Sequence, residues 1–336
     1  MAVLVTGGAG YIGSHMVLAL CDGQQDVVVL DNMTTGVREN VDSRAAFIEG
    51  DIADKSLVSR ILDEHNVDVV VHFAGSIIVP ESVVDPLGYY SNNTAKTRDL
   101  LEVCVKSDIK NFIFSSTAAV YGIPDENPVF EDTPLNPISP YGTSKLMTEW
   151  MLRDASLAHD FRYVALRYFN VAGADPQGRS GQSTPKATHL IKVAGEVATG
   201  QRSYMEIYGR DYDTPDGTCI RDYIHVADLI DAHVRALDYL RGGGASIQLN
   251  CGYGQGYSVL DVISAVERSN GQSFDVRDTD RRAGDPPALI AGAEKIRSVL
   301  GWEPKYADLD KIVSHAFKWE KKIAQERMAA GKIVEL

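Results

Sequence analysis

The stretch Gly7-Gly8-Ala9-Gly10-Tyr11-Ile12-Gly13 constrains this chain more than any other. It follows an apolar run, Ala2 to Val5, and opens a helical pattern, Ile12 to Cys21. A strand, a glycine-rich turn and a helix in that order form the arrangement that a dinucleotide demands. Gly7 permits the tight turn, Gly10 lets backbone approach a pyrophosphate, and Gly13 lets helix and strand pack closely. The helix N-terminus adds free N–H groups and a positive dipole end. Asp31 ends the next strand, at the distance where a carboxylate meets the adenosine ribose hydroxyls. A carboxylate there repels a 2′-phosphate, which favours NAD over NADP. Asp51 and Ile52, after the third strand, are read as an adenine-edge contact, with a helix cap as the plainer alternative for Asp51.

Short Val- and Ile-rich runs then alternate with helical stretches. Asp26–Leu30, Ala46–Glu49, Val67–His72, Asn111–Ser115 and Tyr163–Leu166 are apolar almost throughout and bounded by polar residues or glycine, as strands covered on both faces are. Between them lie helices over Ser56–His65, Asn92–Lys106 and Pro140–Ala158. The repeat predicts an α/β fold, a doubly wound Rossmann-type parallel sheet, with a smaller α+β substrate-binding lobe after it. We expect residues 1–172 to form the dinucleotide domain, with returning segments at roughly 222–252, and residues 173–336 to form the second lobe. Helices are expected there around Leu190–Thr199, Val226–Leu240 and Leu309–Arg327, and the cleft between lobes is the default site.

Lys plus Arg number 33 against 46 for Asp plus Glu, a formal charge of −13, so a polyphosphate backbone would be repelled and nucleic acid is not an expected partner. Cys21, Cys104, Cys219 and Cys251 form no Cys-x-x-Cys pair, which argues against a disulfide framework or a zinc site and for a reducing compartment. No apolar run is long enough to span a bilayer and the first strand starts at once, so the expectation is a cytoplasmic protein without a membrane partner. No metal is expected.

Tyr141-Gly142-Thr143-Ser144-Lys145 places Tyr141 and Lys145 on one face of a helix. A free phenol, with a pKa of about 10, is a poor base at neutral pH. A neighbouring ammonium and a cationic nicotinamide favour the phenolate, so Tyr141 could take a proton from a sugar hydroxyl as hydride leaves the same carbon. Thr117 sits at the end of a strand, where substrate-facing groups belong in such sheets.

These features together resemble the extended short-chain dehydrogenase/reductase superfamily along essentially the whole chain. Within it the sequence looks most like the UDP-glucose (UDP-galactose) 4-epimerases. The carrying segments are the glycine loop through His15, Asp31-Asn32, His72 to Gly75, Ser116 to Gly122, Leu166 to Asn170, Arg221 to Val226 and Arg281 to Asp285. The resemblance implies an NAD cofactor, a UDP-sugar substrate and a homodimer. It implies Thr117, Tyr141 and Lys145 in the catalytic positions. Gly7, Gly10, Tyr11, Ile12, Gly13, Asp31, Asn32, Asp51, Ile52, Phe73, Ala74, Gly75, Asn92 and Tyr168 would hold NAD together with Tyr141 and Lys145. Asn170, His189, Leu190, Tyr208, Arg221, Arg282, Asp285 and Leu289 would meet the substrate, with Thr117.

Four positions depart from that pattern. Thr117 stands where Ser is usual, Ile77 where a Lys often meets the NAD phosphates, and His189 where Asn is usual. Leu289 stands where hexose-specific members carry Tyr, which implies room for UDP-N-acetylhexosamines. The expected reaction is NAD-dependent interconversion of UDP-galactose and UDP-glucose through a 4-keto intermediate. A UDP-pentose 4-epimerase is the alternative enzyme, and a noncatalytic NAD-sensing protein on the same fold the alternative class. A 4,6-dehydratase would need carboxylates beside Thr117, where Ala118 and Ala119 stand.

Overall fold

A computed structural model describes residues 1–184, 188–282 and 284–329. The strands are β1 Ala2–Thr6, β2 Asp26–Asp31, β3 Ala46–Glu49, β4 Val67–His72, β5 Asn111–Thr117, β6 Arg162–Tyr168, β7 Asn170–Ala172, β8 Met205–Tyr208, β9 Ile220–His225, β10 Ile247–Cys251, β11 Gly256–Ser258, β12 Val276–Thr279 and β13 Ala288–Leu289. The α-helices are α1 Tyr11–Asp22, α2 Lys55–Glu64, α3 Val79–Val84, α4 Pro86–Tyr89, α5 Lys96–Lys106, α6 Pro140–Ala158, α7 Leu190–Ala198, α8 Val226–Arg241, α9 Val259–Asn270, α10 Glu294–Leu300 and α11 Leu309–Ala329.

Seven strands form one parallel sheet in the order β10-β6-β5-β4-β1-β2-β3, the expected doubly wound architecture. The period of two along each strand divides its side chains between two apolar layers. Val3, Val5, Val29, Val69, Val71 and Ile113 face one cluster that also takes in Met16 of α1 and Leu229 and Leu237 of α8. Leu4, Val28, Leu30, Val70, Phe112 and Phe114 face the other, with Val58 of α2, Leu100 of α5 and Leu152 of α6. Strand order reverses between β1 and β4, and the crevice at the carboxyl ends of those two strands is where such sheets bind ligands.

The helix ends are specified locally. Asp54 caps α2 by accepting from Leu57 N at 3.0 Å, and Ser139 caps α6 ahead of Pro140. Asp51 is therefore not the cap of α2. It accepts from Lys96 Nζ at 2.5 Å and Ala53 N at 2.9 Å. The helix expected over Asn92–Lys106 begins instead with a wide π-helical turn, Tyr90–Ala95, before α5. Buried Asn93 in that turn fastens Ser76, accepting from its N–H at 2.7 Å and donating to its carbonyl at 2.9 Å.

A second sheet centres on β9. It pairs in parallel with β7 at Asn170↔Tyr223 and with β13 at Leu289↔Arg221, and antiparallel with β11. These registers bring Asn170, Arg221 and Leu289, from three distant segments, onto neighbouring strands. A third, two-stranded sheet pairs β8 with β12 and ends at Tyr208↔Thr279, just before Arg281 and Arg282. Among the described residues no helix is long and apolar enough to cross a membrane.

Candidate active site

At the switch point the loops after β1 and β4 touch. Thr6 and His72 share a 2.7 Å hydrogen bond, Phe73 N donates to Thr6 O at 3.0 Å, and a Cβ on Gly7 would lie 2.6 Å from Ala74 N. Gly7 has a φ of +71°, which an L side chain rarely adopts. A Cβ on Gly13 would overlap the Gly7 carbonyl oxygen, so the first turn of α1 can press onto the loop only without one. Gly10 precedes α1 with no side-chain cap, so its first N–H groups, including those of Tyr11 and Ile12, remain for an anion.

Asp31 ends β2 beside this cradle. One carboxylate oxygen accepts from Ala9 N and the other from Met33 N, each at 2.9 Å, which fixes the group and leaves lone pairs for two vicinal hydroxyls. Asn32 lies near Asp51, whose ionised form it favours, and accepts from Thr34 N at 3.1 Å. Ile52 is buried among the apolar residues of the α2 layer. The cradle, the free helix N-terminus and the anchored Asp31 fit a dinucleotide. Asn92 donates to Ser76 Oγ at 3.0 Å beneath the Phe73-Ala74-Gly75 loop, and Ile77 is half exposed with no charge to offer a phosphate.

Thr117, Tyr141 and Lys145 do come together. Thr117 ends β5 with its hydroxyl accepting from Ala119 N at 3.1 Å and near enough to the Tyr141 phenol to favour the ionised form. Lys145 is buried, lies 5.0 Å from the Phe114 ring centroid, and donates to the Ser115 carbonyl at 3.0 Å. Burial lowers Lys145 to about 8. Tyr141 differs from expectation: burial pushes the phenol up from its ordinary value, and only the nearby Thr117 hydroxyl opposes this. Lowering it therefore requires the positive charge of an occupant beside it. Tyr168 hydrogen-bonds Ser115 Oγ, and its ring and that of Phe73 approach His233 at 6.3 and 4.9 Å. Burial lowers His233 to about 4 and so keeps it neutral.

A cleft open to solvent is lined by Tyr11, Asn170, His189, Leu190 and Tyr223, among others, and by none of the catalytic trio. Tyr11 donates to Gly173 O at 2.7 Å, linking the glycine loop to the segment after β7. His189 immediately precedes α7. Burial keeps it neutral, and its Nδ1 has no hydrogen-bond partner among the described residues.

Farther along β9, Arg221 pairs with Asp285, while the Arg282 guanidinium lies 3.7 Å from the Tyr208 ring centroid. Tyr208 donates to Glu206 at 2.6 Å. Ala283, between these arginine and aspartate positions, is outside the described residues. Leu289 packs against a small cluster containing Ala118, Leu146 and Phe169, each adjacent in sequence to a catalytic or cofactor candidate. Residues missed by sequence reasoning are Asn93, which also donates to Ser144 Oγ at 3.1 Å, and Ser115, which serves both Lys145 and Tyr168. The doubled Asn92-Asn93 was the visible signal, but nothing in it said which one turns inward.

Residues 3–252 match the NAD dependent epimerase/dehydratase family. A UDP-glucose 4-epimerase of Azospirillum brasilense is 56% identical over 329 residues, covering 98% of this chain and 94% of that protein. The UDP-glucose 4-epimerase of Bifidobacterium longum, solved with NAD+ and UDP, superposes with a TM-score of 0.90 at 40% identity, over 96% of this chain and 98% of that one. The UDP-Glc/GlcNAc 4-epimerase of Campylobacter jejuni does so at 0.83 and 48%, over 96% and 99%. The chain thus belongs to the NAD dependent epimerase/dehydratase family, among the UDP-glucose 4-epimerases that it matches along nearly its whole length.

Proposed function

We propose that this chain interconverts UDP-galactose and UDP-glucose by NAD-dependent epimerisation at C4, through a 4-keto sugar. The observation that carries this reading is the meeting of Thr117, Tyr141 and Lys145 beside a dinucleotide cradle. NAD, when bound, supplies the reversible oxidation at C4. Tyr141 takes the proton of the 4-hydroxyl and later returns it to the same oxygen, once the 4-keto sugar has turned to present the other face of C4, with Thr117 sharing the hydrogen bond throughout. Lys145 is placed to hold the nicotinamide ribose, and the positive charge that favours the phenolate would be that of the bound oxidised cofactor. Phe73 to Gly75, Asn92 and Tyr168 complete the cofactor side, with Asp31, Asn32 and Asp51 on the adenosine.

The diphosphate is the handle. Arg221 and Arg282 offer forked donors to it, Asn170, His189 and the start of α7 at Leu190 meet the phosphates, and Tyr208 and Asp285 flank the uridine. Holding the nucleotide firmly and the sugar loosely lets the keto sugar turn within the pocket. Leu289, smaller than an aromatic ring and next to the Ala118 cluster, favours a pocket that also admits UDP-N-acetylhexosamines, the breadth named for the Campylobacter jejuni relative. Residues 1–172 with 222–252 act as the cofactor half, and the remainder as the nucleotide-sugar half.

The working unit is a cytoplasmic homodimer. Val83, Val84 and Leu87 of α3 and α4 are 63, 86 and 77% exposed, and these helices pack on α6, whose Trp150 and Leu157 are exposed too. Proton NMR of UDP-galactose with the protein and a trace of NAD tests the activity. Conversion to a UDP-glucose mixture without accumulating NADH is expected, and Tyr141→Phe is expected to abolish it. An unchanged sugar overturns the hexose reading.

A further inference from the structure

Beneath the Tyr141–Lys145 face lies a buried ion pair that the chemistry above does not use. Glu149 stands one helical turn beyond Lys145 on α6, and Arg167 stands beside Tyr168 on β6. Arg167 Nη2 donates to Glu149 Oε2 at 2.6 Å and Arg167 Nε to Oε1 at 3.0 Å. The same Oε1 accepts the hydroxyl of Ser116, the residue before Thr117 on β5, at 2.5 Å. Arg167 Nη1 donates to the Tyr121 hydroxyl at 3.0 Å, and Tyr121 donates to Asn250 Oδ1 on β10 at 2.7 Å. One network therefore joins β5, α6 and β6, and on each of them a site residue stands next to, or one turn from, a member of it.

A buried ion pair is a poor way to gain stability, because well-packed apolar residues often do as well or better. It is a good way to fix a direction, since an arginine fork and a carboxylate match in few orientations. The site needs such a constraint. Tyr141 and Lys145 ride on α6, while their partners, the Thr117 hydroxyl and the Ser115 carbonyl, belong to β5. The apolar packing between these elements, in the cluster that holds Leu152 of α6 with Phe112 and Phe114 of β5, is non-directional and would tolerate a small slide. Proton transfer would not, because its partners must stay within hydrogen-bond reach.

We propose that Glu149, gripped by Arg167 and Ser116, is a positioning residue that sets the register of α6 on β5, so that Tyr141 and Lys145 meet Thr117 and the Ser115 carbonyl. The inference rests on the epimerase reading. Ser116→Ala cuts only the link to β5 and leaves the Glu149–Arg167 pair; Glu149→Gln keeps the shape and removes the charge. Turnover of UDP-galactose is measured per UDP-binding site, counted by calorimetry, so that a loss of folded protein does not count as a loss of rate. Amide hydrogen exchange along α6 is followed on the same samples without substrate.

Turnover per site is expected to fall roughly tenfold or more in Ser116→Ala, and further in Glu149→Gln, with KM and UDP affinity within about twofold of wild type. Exchange should quicken in the first turns of α6 and not in α2. Wild-type turnover and exchange in Ser116→Ala, with UDP binding intact, overturns the inference even if Glu149→Gln fails to fold. A wild-type protein that binds UDP and leaves UDP-galactose unchanged overturns the epimerase reading, and the inference with it.

Discussion

Lys145 is charged, buried and engaged by one carbonyl, and that combination has a thermodynamic consequence of its own. Burial lowers it from 10.5 to about 8. Between those values the unfolded chain binds more protons than the folded one, so this residue makes stability rise as pH climbs from about 8 to 10.5. Below pH 8 the full cost of burying the ammonium is present. Lys145→Met keeps the length of the side chain and drops the charge. It is expected to be more stable than wild type at pH 7 by about 1–3 kcal/mol, the upper end being the shift itself and the lost hydrogen bond to Ser115 trimming it. The gain should vanish above pH 10, and epimerisation should be lost at every pH. Urea unfolding at neutral and alkaline pH checks both; an equal or lower stability at neutral pH would contradict it. The same residue thus marks where the site departs from what stability alone would choose.

At the scale of elements, legibility followed the physics of burial. β1, β2 and β4 were readable because strands covered on both faces must be apolar throughout, and α1 because three glycines at fixed places announce its approach to the loop. The π-helical turn at Tyr90–Ala95 was not, since a single wide turn leaves no period in the sequence, and it is what turns Asn93 inward. Glu149 and Arg167 were not either, because a charged residue on an amphipathic pattern reads as surface until its partner is found 18 residues away. A second buried cluster makes a prediction at this scale. Lys192 of α7 pairs with Glu320 of α11 at 2.5 Å and lies 3.4 Å from Glu196. Lys192→Met would leave the Glu320 carboxylate buried with, among the described residues, only Gln201 as a donor, at a cost of roughly 3–5 kcal/mol. Adding Glu320→Leu removes the stranded charge and is expected to restore at least half of that loss in guanidinium unfolding. Failure of the double variant to recover would mean that α11 is held on α7 by something other than charge balance.

The whole molecule poses a different problem, because its two clusters around the main sheet account for the helices facing inward and leave one outer face apolar. The protein carries a formal charge of −13, which by itself keeps copies apart. Against that background Val84 at 86% and Leu87 at 77% exposure, on helices packed against α6 beside exposed Trp150, form a surface that a lone chain has no reason to keep. Two such faces related by a two-fold axis would cover each other, and the contact would be made by helices rather than by the cleft, leaving both sites open. Light scattering coupled to size exclusion is expected to give the mass of two chains. The pair Val84→Asp and Leu87→Asp places two like charges at each side of the symmetric contact and should yield a monomer that still binds UDP. Because α6 carries Tyr141, Lys145 and Glu149 on one side and Trp150 on another, that monomer is also expected to lose activity by more than its UDP affinity falls. A double variant that stays dimeric would move the interface elsewhere and leave this apolar face unexplained.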